Sequence, residues 1–257
     1  MKKVAIITGA SSGMGKEFVL TLNNYLNVDE IWAIARSKDA LEDLKKMVNT
    51  EVKAIPMDLT DQESFMKLQE LLDEEKPDVR LLINASGFGI FDSTNDMKMA
   101  DAEGMVDLNC KAVVKMTKLV LPYMYEGAKI MNIASMAAFQ PIPYINVYGA
   151  SKAFVLSFSR ALNSELTMRN IHCMAVCPYW TRTKFFDRAV DPSAKQIVKK
   201  YIVMYEPENI IKQAWKDMAK NKDVSIYGTV AKGQALLCKI LPHKLVMNIW
   251  KKQQDLA

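Results

Sequence analysis

The chain has 257 residues, half of them hydrophobic, so it can bury a large core within one α/β unit. Its 34 basic and 29 acidic residues are dispersed and give a formal net charge of +5, whereas a nucleic-acid-binding protein would concentrate basic residues on one face. The four cysteines form no CxxC pair and there are only two histidines. These counts indicate no metal site and predict buried free thiols in a reducing cytoplasm.

Short runs rich in valine and isoleucine alternate with amphipathic stretches of helical period. This alternation is typical of repeated βαβ units and predicts a doubly wound parallel sheet with helices on both faces. Strands are predicted at 4–8, 31–35, 52–57, 81–84, 129–133, 172–176 and 224–227, and helices at 14–25, 39–48, 62–74, 102–123, 148–168 and 207–220. No repeat or linker interrupts the pattern, so we expect one domain over residues 1–257, and no apolar run is long enough to span a membrane.

The first predicted strand is followed by a glycine-rich turn with the spacing GxxxGxG. Glycines at the start of a helix let the backbone approach a pyrophosphate, which the free N–H groups and the dipole of the helix attract. A purely structural turn would have the same composition. The binding alternative predicts a dinucleotide site formed by Gly9, Ser11, Ser12, Gly13, Met14 and Gly15.

The end of the second predicted strand bears on the choice of dinucleotide. An acidic residue at this place would bind the ribose 2′-OH of NAD, but the sequence has Arg36, Ser37 and Lys38 there. The guanidinium of Arg36 is a planar fork of donors that suits a 2′-phosphate, with Ser37 and Lys38 within reach. We therefore expect NADP rather than NAD; the alternative is that Arg36 is a solvated loop residue.

The ends of the later strands carry further candidates, because this edge of a doubly wound sheet borders the ligand crevice. Asp58 could accept a hydrogen bond from an adenine amino group or cap the next helix, a role for which Thr60 and Asp61 compete. Small residues after the fourth strand would let a cofactor approach, and threonines after the sixth could bond a nicotinamide carboxamide. The cofactor-binding candidates here are Asp58, Leu59, Asn84, Ala85, Ser86, Gly87, Pro178, Thr181 and Thr183.

A proton-transfer pair is predicted at Tyr148 and Lys152, which lie four residues apart and hence on one face of a helix. A neighbouring ammonium favours phenolate, so we expect Lys152 to lower the pKa of Tyr148. Ser135, at the end of the fifth strand, could hold a substrate oxygen beside the phenol. Asn109 is unusual inside a helix and needs a partner, either backbone or water near the active centre.

Two segments follow this centre. Residues 184–205 are rich in Phe, Ile, Val and Tyr but are interrupted by Asp191-Pro192, which favours a flap over the substrate rather than a plain surface helix. The tail, 233–252, has apolar residues at helical spacing and lysines on the other side. We expect it to pack on the body of the fold or on a second subunit; the alternative is a basic amphipathic helix that contacts a membrane surface.

The motifs occur in a fixed order along the chain, as Gly9/Gly13/Gly15, Asn84-Ala85-Ser86-Gly87, Asn109, Ser135, Tyr148 and Lys152. In this order and spacing they resemble the short-chain dehydrogenase/reductase family, and the resemblance extends to about residue 227. It implies a Rossmann-like domain with seven parallel strands, a bound NAD(P), and a homodimer or homotetramer.

The resemblance also implies a role for each member of a tetrad. Tyr148 would be the acid/base, and Lys152 would lower its pKa and bond the nicotinamide ribose. Ser135 would orient the carbonyl or alcohol, and Asn109 would hold a water. Two positions depart from the family pattern: the turn 84–87 has Ala and Ser where Asn-Asn-Ala-Gly is usual, and Tyr179 stands where glycine commonly follows proline.

The predicted function is an NADP-dependent ketone reductase or secondary-alcohol dehydrogenase. A hydrophobic substrate such as a steroid, bile acid or fatty chain is expected, because the candidate wall is apolar and aromatic. That wall comprises Phe88, Ile90, Phe91, Met136, Phe139, Ile142, Tyr144, Tyr179, Phe185 and Phe186. The alternatives are a reductase of 3-oxoacyl or other small carbonyls and a non-catalytic NADP-binding regulatory protein. A serine hydrolase is disfavoured, since Ser135 lacks a GxSxG elbow.

Overall fold

A computed structural model describes residues 1–189 and 197–256. Seven parallel strands form one sheet in the order β3-β2-β1-β4-β5-β6-β7. They are β1 Lys3–Thr8, β2 Glu30–Ala35, β3 Glu51–Pro56, β4 Asp78–Asn84, β5 Lys129–Ile133, β6 His172–Val176 and β7 Val224–Ser225. The predicted doubly wound parallel sheet is confirmed, although the seventh strand ends two residues earlier than predicted.

Ten α-helices are described, and they lie between or after the strands. They are α1 Gly13–Thr21, α2 Lys38–Leu44, α3 Gln62–Glu75, α4 Met99–Val106, α5 Ala112–Val120, α6 Asn146–Glu165, α7 Phe185–Ala189, α8 Pro207–Ala219, α9 Thr229–Ile240 and α10 His243–Gln253. The single helix predicted at 102–123 is divided, because a π-helical turn, Asp107–Lys111, separates α4 from α5. Such turns widen a helix locally and often occur at functional sites.

The sheet is buried on both faces, as the alternation along β1 shows. Ala5 and Ile7 pack with α1 and α8, whereas Val4 and Ile6 pack with α3 and α5. All four side chains are fully buried. This is the reason why the strands read as continuous apolar runs in the sequence. No helix among the described residues is long and apolar enough to cross a membrane.

The strand order reverses between β1 and β4, which places the ligand crevice of a doubly wound sheet at their carboxyl ends. The hydroxyl of Thr8 accepts hydrogen bonds from the N–H groups of Ala85 at 3.0 Å and Ser86 at 3.1 Å. Gly9 has φ +66°, and a Cβ there would lie 2.9 Å from the backbone of Ala85. The two chain segments therefore approach each other only because residue 9 is glycine.

The structure decides one open alternative and corrects one expectation about individual residues. Asp61, not Asp58, caps α3: its carboxylate accepts from the N–H groups of Glu63 and Ser64, whereas Asp58 accepts from Thr60. All four thiols are free, but only three are buried, and Cys110 is half-buried.

Candidate active site

Ser135, Tyr148 and Lys152 line one cavity of about 490 Å³. Ser135 follows β5 in extended conformation, and its hydroxyl accepts from the N–H of Ala137 at 3.1 Å, which starts a short 3₁₀ turn. Tyr148 and Lys152 lie one turn apart at the beginning of α6. The structure thus brings together the three residues that the sequence placed on a strand end and a helix face.

Lys152 is a buried cation, with 5% of its surface exposed. Its Nζ donates to the carbonyl of Ile133 at 2.8 Å and lies 5.8 Å from the centroid of the Tyr148 ring. Burial lowers the pKa of Lys152 to about 8. An ammonium held at this position costs free energy, since among the described residues the carbonyl of Ile133 is the one hydrogen-bond acceptor that offsets its desolvation.

The Tyr148 ring packs in an aromatic cluster, with centroids 5.5 Å from Phe185 and 6.0 Å from Phe91. Burial raises the pKa of Tyr148 to about 12, and a hydrogen bond with Ser135 only partly opposes this effect. The expectation that Lys152 lowers this pKa below its ordinary value is therefore wrong for the chain alone. The physical reason is that apolar surroundings disfavour phenolate more than the hydroxyl nearby favours it. At neutral pH the phenol is protonated.

Asn109 lies in the π-helical turn and is fully buried. Its Oδ1 accepts from the N–H of Phe88 at 3.1 Å, and its Nδ2 donates to the Phe88 carbonyl at 2.8 Å and to the Ser151 hydroxyl at 3.0 Å. The expected backbone partner is thereby found. A Cβ at Gly87 would lie 2.9 Å from Asn109 Oδ1 and 3.3 Å from Lys152 Nζ. Residue 87 must therefore be small for these two polar groups to keep their places.

The glycine-rich turn fits a dinucleotide. The N-terminus of α1 has no side-chain cap on its N–H groups, so these donors are available to a pyrophosphate. A Cβ at Gly15 would collide with the carbonyl of Gly9, and Gly13, at φ +52°, lies beside Thr183. The cavity continues into this crevice, because its wall also includes Met14, Ala85, Gly87, Pro178, Thr181 and Thr183.

Arg36 is exposed just beyond the carboxyl end of β2. Its neighbour Ser37 uses its hydroxyl to cap α2, accepting from the N–H of Ala40 at 3.5 Å. Asp58 is committed to Thr60, whose N–H and hydroxyl both donate to it. Arg36 and the exposed Lys38 are therefore the cationic groups at this edge, and contact of Arg36, Ser37 or Asp58 with a cofactor stays a prediction.

Three predicted cofactor ligands have their side chains engaged elsewhere. Asn84 is buried and donates to Asn132 Oδ1 at 2.8 Å, so it ties β4 to β5. Leu59 is buried in the core on the α3 side of the sheet. The hydroxyl of Thr181 donates to the carbonyl of Tyr179 at 2.8 Å. The sequence showed that these residues lie near the crevice, but it could not show which way the side chains point.

Six of the ten predicted wall residues line the cavity: Phe91, Met136, Ile142, Tyr179, Phe185 and Phe186. Phe88, Ile90, Phe139 and Tyr144 do not. Phe88 turns away from the cavity, toward α4, where its ring would lie 3.2 Å from a Cβ at Gly104. Tyr144 precedes α6 and packs in the cluster that contains Phe91, Tyr148 and Trp250, not on the cavity wall.

Helices α9 and α10, which include most of the tail, supply wall residues that the sequence did not predict. The cavity is also lined by Val230, Gly233, Gln234, Leu237, Cys238, Leu241, Val246, Ile249, Trp250 and Gln253. The Trp250 indole donates to the carbonyl of Pro143 at 3.1 Å, and the Cys238 thiol donates to Gln140 Oε1 at 2.6 Å. The tail therefore packs on the body of the fold. Its apolar stripe was the available signal, but periodicity does not show which residues face a cavity.

The predicted flap, 184–205, lies partly outside the described residues, which omit 190–196. Its first part is α7, whose Phe185 contacts Tyr148. Its last part includes Ile197 and Val198, which are buried with Trp250. Phe185, Phe186 and Ile202 line the cavity, so both described ends of the segment contribute to its wall.

Comparison with known proteins agrees with this geometry. Residues 3–193 match the family described as short chain dehydrogenase. The chain is 32% identical over 216 residues to mouse (Mus musculus) 17-beta-hydroxysteroid dehydrogenase type 3, covering 79% of this chain and 70% of that protein. It is 27% identical over 260 residues to human (Homo sapiens) very-long-chain 3-oxoacyl-CoA reductase, covering 96% and 79%. The structure of a short-chain dehydrogenase from Sphingobium yanoikuyae in complex with NADPH superposes with a TM-score of 0.78 at 26% identity, covering 96% of both chains.

Proposed function

The chain belongs to the short-chain dehydrogenase family and is an oxidoreductase of CH–OH groups that uses a nicotinamide cofactor; from this premise we propose that it is an NADP-dependent reductase of hydrophobic ketones. The observation that carries the proposal is that Ser135, Tyr148 and Lys152 line one largely apolar cavity. The Tyr148 hydroxyl can give its proton to a carbonyl oxygen held beside it, which is the proton transfer that carbonyl reduction requires.

Each of the three side chains has a separate task. The Ser135 hydroxyl holds the carbonyl oxygen of the substrate, and the Tyr148 hydroxyl gives its proton to that oxygen as the carbonyl carbon is reduced. The Lys152 ammonium, buried close to the phenol, stabilises the phenolate that remains. When bound, the cofactor supplies the hydride. Asn109 does not contact the substrate in this proposal; it positions the centre by fixing the loop that carries Phe88. In the alcohol-oxidising direction the proton moves the opposite way.

The cofactor preference follows from charge. Arg36 is exposed at the place where the ribose lies in a doubly wound sheet, and there is no carboxylate among residues 35–38. A guanidinium gains two charge-assisted hydrogen bonds from a 2′-phosphate and none of that strength from a 2′-hydroxyl. The NADPH complex of the Sphingobium relative supports the same choice.

The substrate class follows from the cavity wall. Most of the wall is apolar or aromatic, and about 490 Å³ is within the usual range for a drug-sized ligand. A steroid or bile acid fits such a wall. A 3-oxoacyl chain is the second candidate, because the wall continues outward along α9 and α10 and could hold an extended chain. The names of the two curated relatives correspond to these two classes.

A non-catalytic role is less well supported than a catalytic one. Burying Lys152 lowers its pKa to about 8, which means that the fold loses stability at neutral pH by keeping this group protonated. Binding of the nicotinamide ribose alone could account for Lys152, but a protein that only binds NADP would have no need of Ser135 and Tyr148 beside it in the same cavity. We also propose that the chain self-associates through α6 and is located in the cytoplasm. The stacked Phe154 and Phe158 on α6, with Phe154 42% exposed, support a contact between subunits at this helix.

The test is NADPH consumption with a panel of steroid ketones, 3-oxoacyl thioesters and small diketones. We expect turnover of steroid ketones or long 3-oxoacyl thioesters, with weak turnover of the small diketones. Tyr148→Phe removes only the hydroxyl and should reduce kcat by at least about 100-fold, the range of a lost general acid. Comparable turnover by this variant would refute the assigned proton donor, and turnover restricted to small diketones would refute the substrate class.

A further inference from the structure

The last part of the chain concentrates positive charge. Between residues 224 and 254 there is no aspartate or glutamate, but there are five lysines: Lys232, Lys239, Lys244, Lys251 and Lys252. The two carboxylates that flank this segment form salt bridges with residues outside it: Asp223 with Arg160 at 2.8 Å and Asp255 with Lys200 at 3.0 Å. The charge of the five lysines equals the formal net charge of the whole chain, +5.

The same segment exposes large apolar side chains. Between 39% and 70% of the surface of each is accessible, although α9 and α10 are otherwise packed on the fold. They are Val230, Leu236, Leu237, Ile240, Leu245 and Ile249. We call this set the apolar face. Six such residues within twenty positions exceed the scattered single exposures that are normal for a protein surface.

Lysines border the apolar face on both helices. On α9, Lys232 and Lys239 lie four residues before and three residues after Leu236, so their side chains are its neighbours on the helix surface. On α10, Lys252 lies three residues after Ile249. An apolar surface with a rim of long cationic side chains is the pattern of helices that lie in the interface of an anionic membrane.

The apolar face is continuous with the wall of the cavity. Leu237 on α9 and Ile249 on α10 are more than half exposed, and both also line the active-site cavity. The opening that leads toward Ser135 and Tyr148 is therefore bordered by the same side chains that an apolar surface outside would contact.

We propose that the apolar face docks on an anionic phospholipid surface. Charge decides between the candidate occupants. A second copy placed symmetrically on this face would bring the two sets of five lysines together, which opposes association, whereas anionic headgroups attract them. The apolar side chains then enter the boundary between headgroups and acyl chains. Delivery of an apolar ketone from the lipid into the cavity is a consequence that rests on the proposed function; the docking itself does not.

The test is co-sedimentation of the full chain with phosphatidylcholine vesicles and with vesicles that also contain phosphatidylserine. We expect binding to the anionic vesicles, weakening with added salt. The double variant Lys232→Gln/Lys239→Gln should lower the partition coefficient about fivefold per lysine. Leu236→Ser/Ile240→Ser, which changes two residues outside the cavity wall, should lower it at least about tenfold.

Matched controls are Lys216→Gln on α8 and Met168→Ser after α6, which remove an exposed charge and an exposed apolar side chain that are not part of the face. Both should bind vesicles like the unchanged protein. Thermal melting of each variant checks that it is folded. Equal binding to neutral and anionic vesicles, or no loss with the Leu236→Ser/Ile240→Ser variant, would overturn the proposal. So would size-exclusion data showing that this variant alone converts a dimer to a monomer. None of these measurements needs turnover, so failure of the proposed function would not affect them.

Discussion

Asn109 and the backbone of Phe88 form a reciprocal pair of hydrogen bonds, in which the amide of one residue satisfies both the N–H and the C=O of the other. Phe88 lies in the loop after β4, directly beyond the crevice residues, and Asn109 lies in the π-helical turn between α4 and α5. Because both residues are buried, the pair holds the loop in register with the helix, and it determines where Gly87 lies relative to Lys152.

Asn109→Leu should destabilise the chain, because it removes the two buried hydrogen bonds to the N–H and C=O of Phe88 and a third to Ser151. We expect the free energy of unfolding to fall by about 3 kcal/mol, as measured by urea denaturation. Ser151→Ala is the matched control: it removes only one of the three hydrogen bonds of Asn109 and should cost about 1 kcal/mol. Equal losses in the two variants would show that the reciprocal pair does not stabilise the loop.

Gly89→Ala should disturb Tyr148 directly. An added Cβ would lie 2.8 Å from a ring carbon of Tyr148 and 2.9 Å from the ring of Phe185, so one ring must move. We expect kcat of ketone reduction to fall about 100-fold, the effect of a small misplacement of a reacting group. Gly149→Ala is the control, since its Cβ meets only the carbonyl of Ala137 at an ordinary 3.6 Å. That variant should retain its kcat, and similar losses in both would contradict the steric argument.

The sequence predicted the position of the site better than its electrostatics. Ser135, Tyr148 and Lys152 could be brought together because a strand end and a four-residue helical spacing are local patterns. The pKa of Tyr148 could not be predicted, because Phe91 and Phe185 reach its ring from distant parts of the chain. Contacts of that kind depend on how separate elements dock, and no short-range pattern encodes them.

The fold shows the same division. The strands Lys129–Ile133 and His172–Val176 match their predictions because each apolar run is bounded by polar or turn residues. The π-helical turn was missed, since one extra residue in a helical turn leaves little trace in periodicity. For the tail, the apolar stripe was visible, but its division between buried Trp250 and exposed Ile249 depends on how α10 is oriented on the body.

Arg36→Ala should change the cofactor preference. Loss of charge-assisted hydrogen bonds to the 2′-phosphate is expected to lower kcat/KM for NADPH about tenfold to 100-fold. The value for NADH should change little, because a 2′-hydroxyl gains much less from the guanidinium, so NADH is the internal control. Equal effects on both cofactors, or a preference of the unchanged chain for NADH, would refute the assignment of Arg36.

Lys152 should make stability depend on pH. Its pKa is about 8 in the folded chain and 10.5 ordinarily, so between these values the unfolded chain binds a proton that the folded chain has released. The free energy of unfolding therefore rises with pH across this window, by at most about 3 kcal/mol. The measurement is the difference in unfolding free energy between the unchanged chain and Lys152→Met, from urea denaturation between pH 7 and pH 10.5.

The titration of Tyr148 occurs in both proteins and largely cancels in that difference. Lys129→Met provides a graded control: burial also lowers the pKa of Lys129, but this lysine is only half-buried, so the rise should be smaller. A flat or falling difference for Lys152→Met would mean that Lys152 keeps its proton throughout the window. The ammonium beside Tyr148 would then be stabilised by more than the carbonyl of Ile133, and the stability cost assigned to its burial would no longer hold.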